Sequence, residues 1–151
     1  MKCLSVSQPY ADLIIDGKKT TELRTWNTKL RDEFLIHAPI KIKDDACKRL
    51  SIDKSNLRTG VIIGKVEIYD VKSYDSLEEL KKDYNKHLAT EECFRHRYGF
   101  LLRKPQALRI PIPYKGSLGF FEVNTLSRPS NSDIKSKLFD EEYRYQWIGK
   151  H

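Results

Sequence analysis

Apolar positions along this chain change period often and never run long. Residues 2–6, KCLSV, make a short β-like run. Ser7 and Pro9 then signal a helix start, Ser7 as a cap and Pro9 in the first turn. The helix YADLIID places Leu13 and Ile14 on one face, and Gly17 closes it. TTELRTW, 20–26, alternates with period two. Thr21, Leu23 and Thr25 fall on one side, and Thr20, Glu22, Arg24 and Trp26 on the other. EFLIHA (33–38) predicts a third strand, and KDDACKRL (43–50) a short helix.

Gly60 opens the longest strand signal, VIIGKVEIYDV, in which Gly64 marks a bulge or bend. SLEELKKDYNKHL (76–88) starts with the capping box Ser76–Glu79 and carries the stripe Leu77, Leu80, Tyr84 and Leu88. YGFLLRK (98–104) and ALRIPI (107–112) read as strands interrupted by Pro105. KGSLGFFEV (115–123) is a glycine turn feeding a last strand. These elements predict an α+β, mainly β fold: a small closed or nearly closed β-barrel with flanking helices. The domain is expected over residues 1–124. Residues 125–151 make a linker, SRPSNSD, and a tail whose segment 134–148 predicts a helix anchored by Leu138, Tyr145 and Trp147. That tail either docks back on the barrel or engages a partner.

Composition narrows the function classes. The chain has 151 residues, enough for one core without staples. No apolar run approaches a membrane span and no signal-peptide h-region is visible, so the expectation is a cytoplasmic protein without membrane association. The three cysteines are widely spaced with no C-x-x-C pair, which predicts reduced thiols and neither a disulfide framework nor a zinc knuckle. The formal charge of +7 raises the local concentration of polyanions without identifying them.

The stretch GKKTTELRTW packs charge where a barrel strand begins. Together with the helix before it, this unit resembles the ASCH domain family, whose fold is similar to the PUA domain of RNA-modifying proteins. The resemblance rests on the run Gly17, Lys19, Glu22, Arg24, on the preceding Q-P-Y-A at residues 8–11, and on the closing YKGSLGFFEV. It covers about residues 2–124. It implies a barrel with a cleft beside the first helix and a link to RNA or DNA binding. Some members of the family are hydrolases: one branch removes an acyl group from a modified cytidine nucleoside and another cleaves RNA. In the cytidine branch a threonine nucleophile stands at the position of Glu22. This chain departs there, so water activation by Glu22 is the more natural hydrolytic chemistry.

Residue by residue, Lys19 and Glu22 are the catalytic candidates. Positions three apart on a strand face opposite ways, so they meet only if Lys19 bends back through the turn that Gly17 permits. Both are expected at the mouth of the cleft, outside the core. Arg24 shares the Glu22 face and either binds a phosphate bidentately or holds Glu22 in place. Tyr10 and Trp26 either stack on a base or, for Trp26, fill the barrel end. Gln8 either reads a base edge or caps the helix. Ser117, in the turn Gly116–Gly119, offers a hydroxyl and backbone N–H groups to a phosphate or oxyanion, or sits in an ordinary hairpin turn. Arg95, Arg97, Arg103 and Lys104 read as a basic surface for a nucleic-acid backbone or as a solvated face.

His37, at the end of an apolar strand, reads as a satisfied core residue. Glu91, Glu92, Cys93 and His96 lack zinc-ligand spacing, so no metal and no cofactor is called for. The expected partner is RNA, another single-stranded nucleic acid or a modified nucleoside. The reading is a nucleic-acid-binding domain that either only binds or also hydrolyses RNA or a modified nucleoside. The alternative is a protein-interaction or regulatory module that uses the tail.

Overall fold

The computed structural model describes residues 1–90, 95–123 and 147–149. Its elements run β1 (Lys2–Ser5), α1 (Tyr10–Ile15), β2 (Thr21–Arg24), β3 (Glu33–Ala38), α2 (Asp44–Arg49), a 3-10 turn (Lys54–Asn56), β4 (Val61–Ser73), α3 (Leu77–Lys82), α4 (Tyr84–His87), β5 (Tyr98–Pro113), β6 (Phe120–Glu122) and β7 (Trp147–Gly149). Six strands curl into a half-barrel in the order β2–β5–β4–β3–β1–β6. One edge of β5 follows β4. Its other edge takes β2 at residues 98–101 and β7 at residues 106–108. This is the expected α+β, mainly β architecture.

The barrel is open between β2 and β6, its two edge strands. Aromatic rings close that seam from inside. Trp26 stands edge-on to Phe100 at 5.3 Å and to Phe120 at 5.6 Å, and Phe120 stands edge-on to Phe34 at 5.1 Å. Such pairs add stabilisation beyond the area they bury. The interior side of the alternating strands supplies the core, Leu4, Val6, Phe34, Ile36, Val66, Ile68, Phe100 and Leu102, and α1 adds Ala11, Ile14 and Ile15. A smaller layer of Cys3, Leu35, Ile62, Leu108 and Val123 lies on the other face of the same strands.

Several elements differ from the sequence expectation. The two strands expected around Pro105 are one 16-residue strand. Lys104 and Pro105 together oppose the single residue Val66, and Lys104 takes a left-handed φ of 55°. A bulge thus absorbs the missing proline N–H without ending the ladder. Gly64 does sit at a register shift, in both its pairings. The helix expected over 76–88 is two short helices broken at Asp83. The Asp83 carboxylate accepts from the Tyr74 hydroxyl (2.6 Å) and the Lys72 ammonium (2.9 Å), which ties the break to β4. The cap is as expected, with Ser76 Oγ accepting from Glu79 N. In the tail, residues 147–149 form a strand rather than a helix, with Trp147 registered against Leu108. Residues 134–146, including Leu138 and Tyr145, lie outside the described residues, as do Glu91, Glu92 and Cys93. No helix among the described residues is long and apolar enough to cross a membrane.

Candidate nucleotide cleft

The helix-to-strand turn builds the site. Gly17 adopts φ 79° and ends α1, and the N–H groups of Lys18 and Lys19 both bond back to Leu13 O. The reversal turns Lys19 inward, so it meets Glu22 despite the strand period. Lys19 Nζ lies 3.3 Å from Glu22 Oε1 and donates to the carbonyls of Thr21 (2.8 Å) and His87 (2.6 Å). It also sits 4.9 Å from the centre of the Tyr10 ring. The other Glu22 oxygen accepts from Arg24 Nε (3.0 Å) and pairs with Arg24 Nη2 (2.8 Å), and Nη2 also donates to Ser5 O. Arg24 therefore holds Glu22 in place and staples β2 to β1 across the barrel opening.

Lys19 and Glu22 are 3% and 7% exposed. The expectation that they sit outside the core is corrected: they form a buried, doubly paired cluster at the floor of the cleft. Burial opposes the Glu22 carboxylate, but Arg24 and then Lys19 more than offset it, so its pKa lies below the ordinary 4.5. Thr21 faces the other way, and its methyl closes with the Tyr74 ring over Gly99.

This cluster floors a cleft of about 200 Å³ lined by Ser5, Val6, Ser7, Tyr10, Lys19, Glu22, Leu23, Arg24, Lys43, Ala89 and His96. Of the sequence candidates, Lys19, Glu22, Arg24 and Tyr10 meet there. Gln8 does not. It is fully buried, with its amide donating to Asp12 Oδ1 and Arg58 O and its carbonyl accepting from Asp12 N, so it ties down the first turn of α1 from outside the Pro9 N-cap. Trp26 belongs to the aromatic seam. Ser117 is exposed and lies outside the cleft lining. Its turn closes instead on β1 and β3, where His37 Nε2 donates to Tyr114 O (2.7 Å) and Gly116 packs against Ser5 Oγ and the His37 ring. That carbonyl fixes the tautomer of His37, so Nδ1 accepts from Ser5 Oγ at 2.9 Å. Burial pushes the His37 pKa down and keeps it neutral.

Among the basic candidates, Arg95 and Arg97 are exposed beside His96. Arg97 Nε donates to Tyr74 O. Arg103 pairs with Glu67 and stacks over Tyr69 (4.8 Å), and Lys104 sits in the β5 bulge, so neither lines the cleft. Lys43 and Ser5 line the cleft and escaped sequence reasoning. Lys43 is brought in when its N–H bonds to Gln8 O, a contact between residues 35 positions apart in the chain (43 minus 8) with no local signal. Arg49 is a further unforeseen participant. It donates to the hydroxyls of Tyr10 (2.9 Å) and Tyr84 (2.6 Å) and to Leu88 O, and so fixes the Tyr10 ring.

The chain is 28% identical over 135 residues to Activating signal cointegrator 1 of Homo sapiens, and 27% identical over 135 residues to the Mus musculus protein. Each match covers 82% of this chain and 22% of the relative, so the chain spans about a fifth of those proteins. The crystal structure of ASCH from Zymomonas mobilis superposes with a TM-score of 0.60 at 17% identity, covering 91% of this chain and 92% of that one. The ASCH domain model matches residues 4–126, and the chain belongs to the ASCH domain family, whose PUA-like fold is associated with RNA binding.

Proposed function

We propose that the protein binds single-stranded RNA and seats one nucleotide in the cleft over Lys19, Glu22 and Arg24. One observation carries the reading: a buried carboxylate, held ionised by two cations, forms the floor of an open cleft. An ionised carboxylate is an acceptor and nothing else. It suits the exocyclic amine of a base such as cytosine. The Tyr10 ring on the cleft wall offers an apolar face, and the overall charge of +7 favours a polyanion.

The same geometry weighs against Glu22 as a general base. A base works best with a pKa near the operating pH, and here the pKa is pushed further down, with both oxygens already paired. Binding is therefore favoured over hydrolysis of RNA or of a modified nucleoside. The test is titration with cytidine and uridine monophosphates: cytosine offers an exocyclic amine donor beside an N3 acceptor, and uracil a carbonyl acceptor beside an N3–H donor. Cytidine monophosphate should bind more tightly by about 1–3 kcal/mol, and Glu22→Gln should erase the difference. Equal affinity for the two in the wild type refutes Glu22 as the reader. Release of product from RNA or from acylated cytidine, lost in Glu22→Gln, refutes the purely binding role.

A further inference from the structure

We infer that a second cleft beside the first seats the adjoining nucleotides of the same single strand, with Lys43 at the junction and Lys41 beyond it taking the backbone phosphates. The inference rests on the nucleotide-binding reading above and extends it from one nucleotide to a strand of about three.

The second cleft has a volume of about 580 Å³, nearly three times the 200 Å³ of the first. The two share a wall made of Ser7, Tyr10 and Lys43. The shared residues make the two clefts neighbours on the surface. The first is too small for more than one base. The second has room for more, lined by Lys41, Ile42, Lys43 and Arg49 among others.

The cations around the two clefts divide by what they already hold. Lys19 and Arg24 are bound to Glu22, and Arg49 is bound to two tyrosine hydroxyls and a carbonyl. These build the walls. Lys41 and Lys43 are exposed and have no ion-pair partner among the described residues. The acidic residues of the second cleft, Asp44 and Asp45, oppose an anion, but Asp44 is paired with Lys54 at 3.2 Å. The uncommitted positive charge therefore lies at the junction and along the second cleft, where linking phosphates would pass. A nucleic-acid strand places a charge at every link, which matches two lysines separated by one residue better than an isolated anion does.

Lys41 gives the clean test, because it lines the second cleft and not the first. The probes are cytidine monophosphate and oligocytidylates of two, three and four nucleotides, titrated by calorimetry across a salt series. Each nucleotide added up to three should tighten binding by at least about fivefold, and the fourth should add little. Lys41→Ala should cut the gain with length and lower the log–log salt slope for the trinucleotide by about 0.7, while leaving the monophosphate unchanged. A monophosphate that binds with no gain from length overturns this inference and leaves the single-nucleotide reading standing. Equal losses for monophosphate and trinucleotide in Lys41→Ala, or an unchanged salt slope, also overturn it. Failure of every probe to bind overturns both. A heparin tetrasaccharide that binds as tightly as the trinucleotide, with the same Lys41 dependence, overturns the assignment to a nucleic-acid strand.

Discussion

Lys19→Ala should destabilise the protein heavily, and the reason lies in what its ammonium holds. The substitution strips the donor from two carbonyls, Thr21 O and His87 O, and removes one of the two cations on buried Glu22. Breaking a buried ion pair from one side costs about 3–5 kcal/mol. Arg24 stays on Glu22, which argues for the lower end, about 3 kcal/mol. Across the matched domain, residues 4–126, the unfolding entropy is about 0.26 kcal/mol/K, so Tm should fall by about 12 °C. Calorimetry or circular dichroism at pH 7 reads this directly. Adding Glu22→Gln to Lys19→Ala should cost less than Glu22→Gln costs alone, because the pair between the two side chains is already gone. The coupling in that cycle should reach about 0.5–3 kcal/mol. Acid supplies a second check. Glu22 has its pKa held below 4.5 in the fold, so its carboxylate stabilises above 4.5 and that share is lost as pH falls through the folded value. The Tm gap between wild type and Lys19→Ala should therefore narrow below pH 4.5. A Tm change under about 2 °C at pH 7 would mean that the cluster is solvated and that the ionised floor of the cleft is not held as described.

Other consequences are as direct. Burial holds His37 and His87 below 6.5, so the unfolded chain takes protons first and stability should fall as pH drops through 6.5; His37→Gln should flatten that slope in a pH series of melts. Gly64→Ala should cost about 1–3 kcal/mol, because its Cβ would run into the Gln106 carbonyl and come within 2.8 Å of Ile15 Cδ1, and a denaturant midpoint measures it. Trp26→Ala should cost about 3 kcal/mol by emptying the aromatic seam, yet leave monophosphate affinity unchanged when measured well below its Tm; a loss of affinity without a loss of stability would return Trp26 to the ligand.

The sequence by itself determined the local geometry of this protein. Gly17 has to stop a helix and reverse the chain, because it can take a positive φ where a side chain resists. The alternation in TTELRTW sends Glu22 and Arg24 to one side and Thr21 to the other, and the structure keeps that division. These are short-range constraints, carried by neighbours in the chain. Whether Lys19 and Glu22 were surface or core was not legible. That depends on the His87 carbonyl, 68 residues away, and on the Tyr10 ring closing over them. The alternatives left open for Gln8, Trp26 and Ser117 were likewise decided by distant partners: the Arg58 carbonyl, Phe100 with Phe120, and the fold of the glycine turn onto His37. Lys43 entered the cleft through a backbone bond that leaves no mark in its own segment. Helix stops and strand faces follow from steric limits on one or two residues. Burial and charge pairing are settled when the barrel closes and brings remote groups within a few ångströms of each other.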